Sequence, residues 1–99
     1  SPTEVEEVVY ALDPRIVDVA ALGLPHPELD QAIMVLVACQ GDVQIDAQAW
    51  LLQLKRTLPS FMVPKVFIQV ATMPKNANGK IDRKLLAGQY QDYFTGANQ

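Results

Sequence analysis

Chemistry in this chain is concentrated near its end, in Asn78-Gly79-Lys80-Ile81-Asp82-Arg83-Lys84. Asn-Gly is a strong turn signal, and the lysine behind it carries a compact charge on a flexible stem. A positioned cation of this kind can stabilise negative charge as it develops. It can equally belong to a partner-binding patch. Composition alone reads the stretch as a loop followed by a basic helix start. Other chemistries are excluded more firmly. One histidine and one cysteine cannot supply any of the usual zinc sites. The chain holds no Gly-x-Ser-x-Gly elbow and no phosphate-binding glycine-rich loop. His26, between two prolines, reads as a turn residue. Glu4, Glu6 and Glu7 read as a solvated helix start whose charges favour the dipole. Cys39 closes the apolar run from Ala32 and reads as a buried, inert thiol.

The elements that must position the lysine follow from capping and periodicity. Ser1-Pro2-Thr3-Glu4 is a helix start, with Ser1 as cap, Pro2 at the first helical position and Glu4 completing a capping box. Val5, Val8, Val9 and Leu12 fall on one face of that helix, and Asp13-Pro14 ends it. Residues 15–24 are rich in β-branched and small apolar residues and predict a strand, broken by Gly23-Leu24-Pro25-His26-Pro27. A second strand over 32–40 is apolar on both faces and therefore central in its sheet. The two are expected as antiparallel neighbours across a loop of about seven residues. Asp46 caps a second helix, with Ile45 and Trp50 placed for a hydrophobic staple, and Pro59 stops it. A third strand is expected over 65–70, then a polar loop from Met73 to Lys80. A short helix from about Arg83 to Tyr90, capped by Asp82, closes the fold. The pattern predicts an α+β domain, a small, mostly antiparallel sheet of about three strands flanked by helices.

The chain has 99 residues, 49% hydrophobic, with 8 Lys+Arg against 11 Asp+Glu and a net charge of −3. That is one domain with a modest core. The acidic balance argues against nucleic acid and against an anionic membrane surface as partners. A lone cysteine fits a reducing compartment, no signal peptide opens the chain, and the longest apolar run is far below the ~20 residues of a membrane span. The expected location is the cytoplasm. The start at Ser1-Pro2, without methionine and inside a helix cap, suggests a piece of a longer protein.

Four segments in order give a family resemblance. Asn78-Gly79-Lys80-Ile81-Asp82-Arg83 resembles the closing Asn-Gly-Lys-(Ile/Val/Leu)-Asp-Arg of the adenylate-forming superfamily: acyl-CoA synthetases, adenylation domains of nonribosomal peptide synthetases, and luciferases. Leu58-Pro59-Ser60-Phe61-Met62-Val63-Pro64 is similar to that family's Leu-Pro-x-(Tyr/Phe)-Met-Val-Pro. Ser1 to Glu6 resembles the opening of the family's C-terminal lobe, and Leu22-Gly23-Leu24-Pro25-His26-Pro27 its Val-Gly-Val-Pro-His/Asp-Pro turn. The chain departs from the pattern at Asp30-Gln31, where Gly-Glu is usual. It departs again at Lys75-Asn76-Ala77, where a polar residue, threonine and often proline are usual.

The resemblance implies a C-terminal mobile lobe over residues 1–88 and a C-terminal tail over 89–99. It implies an AMP-forming acyl-CoA ligase reaction in two halves. A carboxylate attacks the α-phosphate of Mg-ATP, giving an acyl-adenylate and pyrophosphate. A thiol, from coenzyme A or a carrier-protein pantetheine arm, then expels AMP. Lys80 is implied as the catalytic lysine of the first half. Gly79 is implied to allow close backbone approach, and Asn78 and Arg83 to hold the loop. ATP, Mg2+, the thiol and the acid-specificity pocket are implied to belong mainly to an N-terminal domain outside this chain. The lobe's partners are then that domain and a small carboxylic acid, and alone it should catalyse nothing. A stand-alone synthetase is preferred over a peptide-synthetase module, since no carrier domain with its serine follows Lys84. The alternative from another class is a non-catalytic α+β binding module using Lys80 to Lys84 as its patch.

Overall fold

The computed structural model describes residues 2–96. The suggested Ser1 cap and residues 97–99 of the expected tail lie outside the described residues. Helix α1 spans Pro2–Tyr10, strand β1 Ile16–His26, strand β2 Asp30–Cys39, helix α2 Ala47–Thr57, strand β3 Val66–Gln69 and helix α3 Arg83–Tyr90. A short 3-10 turn, Ser60–Met62, precedes β3. No helix among the described residues is long and apolar enough to cross a membrane.

The three strands form one sheet in the order β1-β2-β3, with β1 antiparallel and β3 parallel to β2. The expected α+β class and small, mostly antiparallel sheet are what the chain forms, with β2 central. A parallel neighbour needs a long crossover, usually a helix, and α2 supplies it. Alternation along the strands sorts the core into two layers. Val19, Ala21, Val35, Val37 and Phe67 face α1 and α2, meeting Val5, Val9, Trp50 and Leu54. Ala20, Leu22, Leu24, Met34, Leu36 and Ala38 face the other way, under Leu86 of α3 and Met73. Fully burying side chains such as Leu54, Met34 and Leu36 contributes about 1.5–3 kcal/mol each. Trp50 meets Phe67 edge to face, centroids 5.5 Å apart, fastening α2 to β3.

Both expected internal caps form: Asp46 accepts from Ala49 N and Asp82 from Leu85 N. Ile45 packs against the same layer as Trp50, as the staple requires. The first helix stops at Tyr10, before Asp13-Pro14, and the chain turns through residues 11–15. There the Arg15 guanidinium donates to Asp13 at 2.6 Å and its hydrogen bonds hold the Asp13 carboxyl down at about 2. Cys39 is half-buried against the α1/α2 layer, and burial pushes its thiol up, which suits an inert role.

The β1–β2 connection corrects the sequence reading. Gly23 and Pro25 do not break the strand. β1 continues to His26, with Pro25 paired to Gln31 and His26 to Asp30. Pro25 is tolerated because β1 is an edge strand, where a missing N–H need not be matched. The loop shrinks to residues 27–29. His26 shapes it: Nδ1 accepts from the backbone N–H of Glu28 and of Leu29, each at 3.1 Å. Asp30 closes it with a φ of 68°, the left-handed region where an L side chain is strained.

The free edge of β1 is covered by side chains of α1 rather than by another strand. Tyr10 Oη accepts from Val19 N at 3.2 Å, and Glu6 Oε2 accepts from Ala21 N at 2.9 Å. An exposed row of strand N–H groups is a template for unwanted pairing, and these contacts blunt it. Glu6 is therefore not the solvated residue its neighbours suggest. It is 7% exposed, and Arg83 of α3 donates to both its oxygens, Nε at 2.9 Å and a terminal nitrogen at 2.5 Å. These hydrogen bonds raise the Arg83 pKa further above its ordinary value. One buried carboxylate thus ties α1, β1 and α3 together.

Two stability predictions follow from these contacts. Arg83→Ala strips a buried carboxylate of its fork-shaped donor and is expected to lower unfolding free energy by about 2 kcal/mol, below the fully buried range because Arg83 is half-exposed. A double-mutant cycle with Glu6→Gln in urea titrations should give a coupling of about 1 kcal/mol or more, and additivity would show that the pair is idle. Asp30→Gly should stabilise the domain by about 0.5–1 kcal/mol, relief of strain exceeding glycine's entropic penalty, whereas Asp30→Val should destabilise it. The same titrations decide both.

Candidate active-site loop

Lys80 sits on a hairpin whose stem is anchored and whose tip is bare. Met73 is buried and Ile81 packs against the same layer, beneath α3. Lys75 and Ile81 form an antiparallel bridge, and Asp82 N donates to Pro74 O at 2.9 Å. Lys75 also reaches back to β1, its Nζ donating to Asp18 Oδ2 at 2.8 Å. Between these anchors, residues 75–80 are exposed.

The tip is organised by Asn76. Gly79 N donates to Asn76 O at 2.9 Å and Asn76 N to Lys80 O at 2.7 Å. Asn76 Oδ1 accepts from Asn78 N at 2.9 Å and from Lys80 N at 3.1 Å. This is a turn led by asparagine, whose side chain mimics a backbone acceptor two residues on. Gly79 follows with a φ of 77°, a conformation open to glycine at no steric penalty. The chain can therefore reverse within five residues without leaving the tip's N–H groups to chance.

The predicted site residues divide on this geometry. Asn78, Gly79 and Lys80 come together at the tip. Gly79 supplies the left-handed turn, and a Cβ there would meet nothing within 4 Å in this chain, so its requirement is conformational here. Asn78 enters the loop network through its backbone N–H. Arg83 lies beyond the tip, at the start of α3, with its guanidinium on Glu6. The residue that joins both ends of the loop is Asn76, which sequence reasoning treated only as a departure from pattern. The signal was present, since Asn76 and Gly79 stand at the first and fourth positions of a turn, where each type is favoured.

The two lysines of the hairpin are not equivalent. Lys75 is engaged by Asp18. The Lys80 ammonium makes no ion pair or hydrogen bond with any described residue, so it is free to meet an anion outside the chain. A shallow hollow of about 500 Å³ lies beside the hairpin, lined by Asp82, Lys84, Leu85, Gly88 and Gln89. A groove of about 590 Å³ is lined by Val5, Leu29, Ile33 and Phe61 among others and includes no residue of 74–83. Among the described residues no cluster of three or more His, Cys, Asp or Glu could hold a metal ion. The arrangement offers, among the described residues, a cation without an ion pair, carried on an ordered turn.

Comparison with known proteins supplies that context. A sequence model of the AMP-binding enzyme C-terminal domain matches residues 4–80, ending on Lys80. The 3-methylmercaptopropionyl-CoA ligase of Ruegeria pomeroyi is 30% identical over 97 residues, covering 97% of this chain and 18% of the ligase. A nonribosomal peptide synthetase, kk1B of Curvularia clavata, is 40% identical over 88 residues, covering 85% of this chain and 1% of the synthetase. Among solved structures, ATP-bound MatB from Rhodopseudomonas palustris superposes with a TM-score of 0.87 at 28% identity, over 94% of this chain and 18% of that one. A fatty acyl-CoA synthetase from Mycobacterium tuberculosis gives 0.78 at 28% identity, over 93% and 18%. The chain thus spans under a fifth of the length of these proteins. It belongs to the AMP-binding enzyme C-terminal domain family, the C-terminal lobe of AMP-forming acyl-CoA synthetases and of the adenylation domains related to them.

Proposed function

We propose that this lobe serves an AMP-forming acyl-CoA ligase, with Lys80 as the cation of the adenylation half-reaction. The observation that carries the reading is the Lys80 ammonium, paired with no described residue, at the tip of an anchored hairpin and at the last residue of the family match. In the first step a substrate carboxylate oxygen bonds to the α-phosphorus of ATP. The bond from that phosphorus to the bridging oxygen breaks, and pyrophosphate leaves. Charge accumulates on the phosphate oxygens in transit, and a lysine delivered there stabilises it where it develops. In the second step a thiol sulfur bonds to the acyl carbon, its proton is lost, and AMP departs with the C–O electron pair.

In this proposal residues 1–88 act as one mobile lobe, and the expected tail over 89–99 begins inside α3, with Tyr90 and Phe94 packed on the lobe's sheet. The nucleotide, Mg2+ and the acyl group are held mainly by an N-terminal domain, the lobe's chief partner. Lys80 needs its freedom for that reason: it must enter a site built by another domain and withdraw from it. Coenzyme A is the thiol we favour, because the structural neighbours include acyl-CoA synthetases. The peptide-synthetase relative supports a second reading, with a carrier-protein pantetheine as acceptor. A cytoplasmic setting agrees with the inert, half-buried Cys39.

The test is ATP–pyrophosphate exchange by the full-length protein across a panel of carboxylic acids, wild type beside Lys80→Ala. Exchange is expected to fall by about 10²–10³-fold with the fold intact. Unchanged exchange in Lys80→Ala would remove Lys80 from the chemistry. The isolated lobe should show no exchange. Supplying coenzyme A or a pantetheinylated carrier protein to the active enzyme then separates the two acceptors.

A further inference from the structure

We infer that Asn76 is a positioning residue for the adenylation lysine, an inference that rests on the reading of Lys80 above. Four hydrogen bonds converge on this one residue. Its carboxamide oxygen takes the N–H groups of Asn78 and Lys80, and its backbone pairs with Gly79 N and Lys80 O. Both polar atoms of the Lys80 backbone are therefore held by Asn76, one through its side chain and one through its main chain. Since two backbone donors converge on the side-chain oxygen, its orientation is fixed by the network.

The side chain has no part in packing. Asn76 is exposed and belongs to neither core layer. Without its acceptor, the Asn78 and Lys80 N–H groups turn to water at little expense to the fold, because both are already at the surface. What is lost is the direction in which Lys80 leaves the backbone. That matters where a charge must arrive within a fraction of an ångström of a developing anion, since a misplacement of about 1 Å can lower a rate by 10²-fold. Asn76 thus fixes the base of a side chain whose outer atoms stay mobile. It acts at a position where the resemblance to the adenylate-forming superfamily leads one to expect threonine, and threonine or serine can make a weaker version of the same side-chain turn.

The experiment uses the full-length protein with MgATP and the acid giving fastest exchange among short-chain, long-chain, aromatic and amino acids. Wild type is compared with Asn76→Ala, Asn76→Ser and Lys80→Ala. Asn76→Ala should lower kcat for exchange by about 10–100-fold with KM values little changed. Thioester formation from supplied acyl-adenylate and coenzyme A should stay within roughly threefold. Asn76→Ser should recover most of the loss. Hydrogen exchange over residues 74–82 should rise in Asn76→Ala and return in Asn76→Ser, a readout independent of any acid. Normal kcat in Asn76→Ala beside an inactive Lys80→Ala would overturn the positioning role alone. So would unchanged hydrogen exchange, or equal losses in both half-reactions with reduced stability. Normal exchange in Lys80→Ala would overturn the underlying reading instead.

Discussion

Strand β2 has apolar side chains on both faces, and water must be kept from each. Met34, Val35, Leu36 and Val37 in succession are fully buried, which no two-layer packing of this sheet could achieve. Helices α1 and α2 take one face and α3, with Met73 and Ile81, takes the other. The burial of α3 is thus required by the strand, and the hairpin bearing Lys80 is pinned because it leads directly into α3. Asp82 joins the two, its side chain capping the helix and its backbone N–H closing the hairpin stem. A core requirement is converted into the placement of a surface loop.

The Glu6–Arg83 pair adds a polar constraint to this apolar one. Removing a carboxylate from water is expensive unless its oxygens are fully occupied. Here Arg83 and the Ala21 N–H occupy them. Hydrophobic contact alone is non-directional and would leave α3 free to slide or turn on the sheet. A two-pronged hydrogen bond at the first residue of α3 does not, so the pair fixes the end of the helix nearest the loop. Its contribution is to geometry more than to total stability.

Much of this architecture was legible because the signals were local. The caps Asp46 and Asp82, the doubly apolar run from Ala32 and the glycine of the Lys80 turn each act within a few residues of themselves. What sequence left hidden depended on distant partners. Glu6 reads as one of three acids at a helix start, and only the approach of β1 and α3 makes it a buried hub. Pro25 reads as a strand breaker, and only its place on the sheet edge makes it harmless. Asn76 is intermediate. Its turn chemistry is local, but its importance comes from the residue four positions on, and a comparison of patterns drew attention to its type instead of its geometry.

In the proposed function Lys80 must visit another domain, and a lysine with that task faces opposed demands. Its charge has to travel, which favours a bare tip and a long stem, yet arrival in the wrong direction is useless. The hairpin separates these demands along the side chain. The backbone at Lys80 is fixed by Asn76 and the anchored stem, while the ammonium forms no ion pair or hydrogen bond with any described residue. Ordering the backbone in advance leaves only side-chain entropy to be lost on entry, up to about 2 kcal/mol for a lysine. A floppy loop would lose in addition roughly 1–2 kcal/mol for each residue ordered at that moment. Over five tip residues the second loss far exceeds the first. In that proposal the order built into this turn lowers the barrier to entry, since only the lysine side chain remains to be ordered.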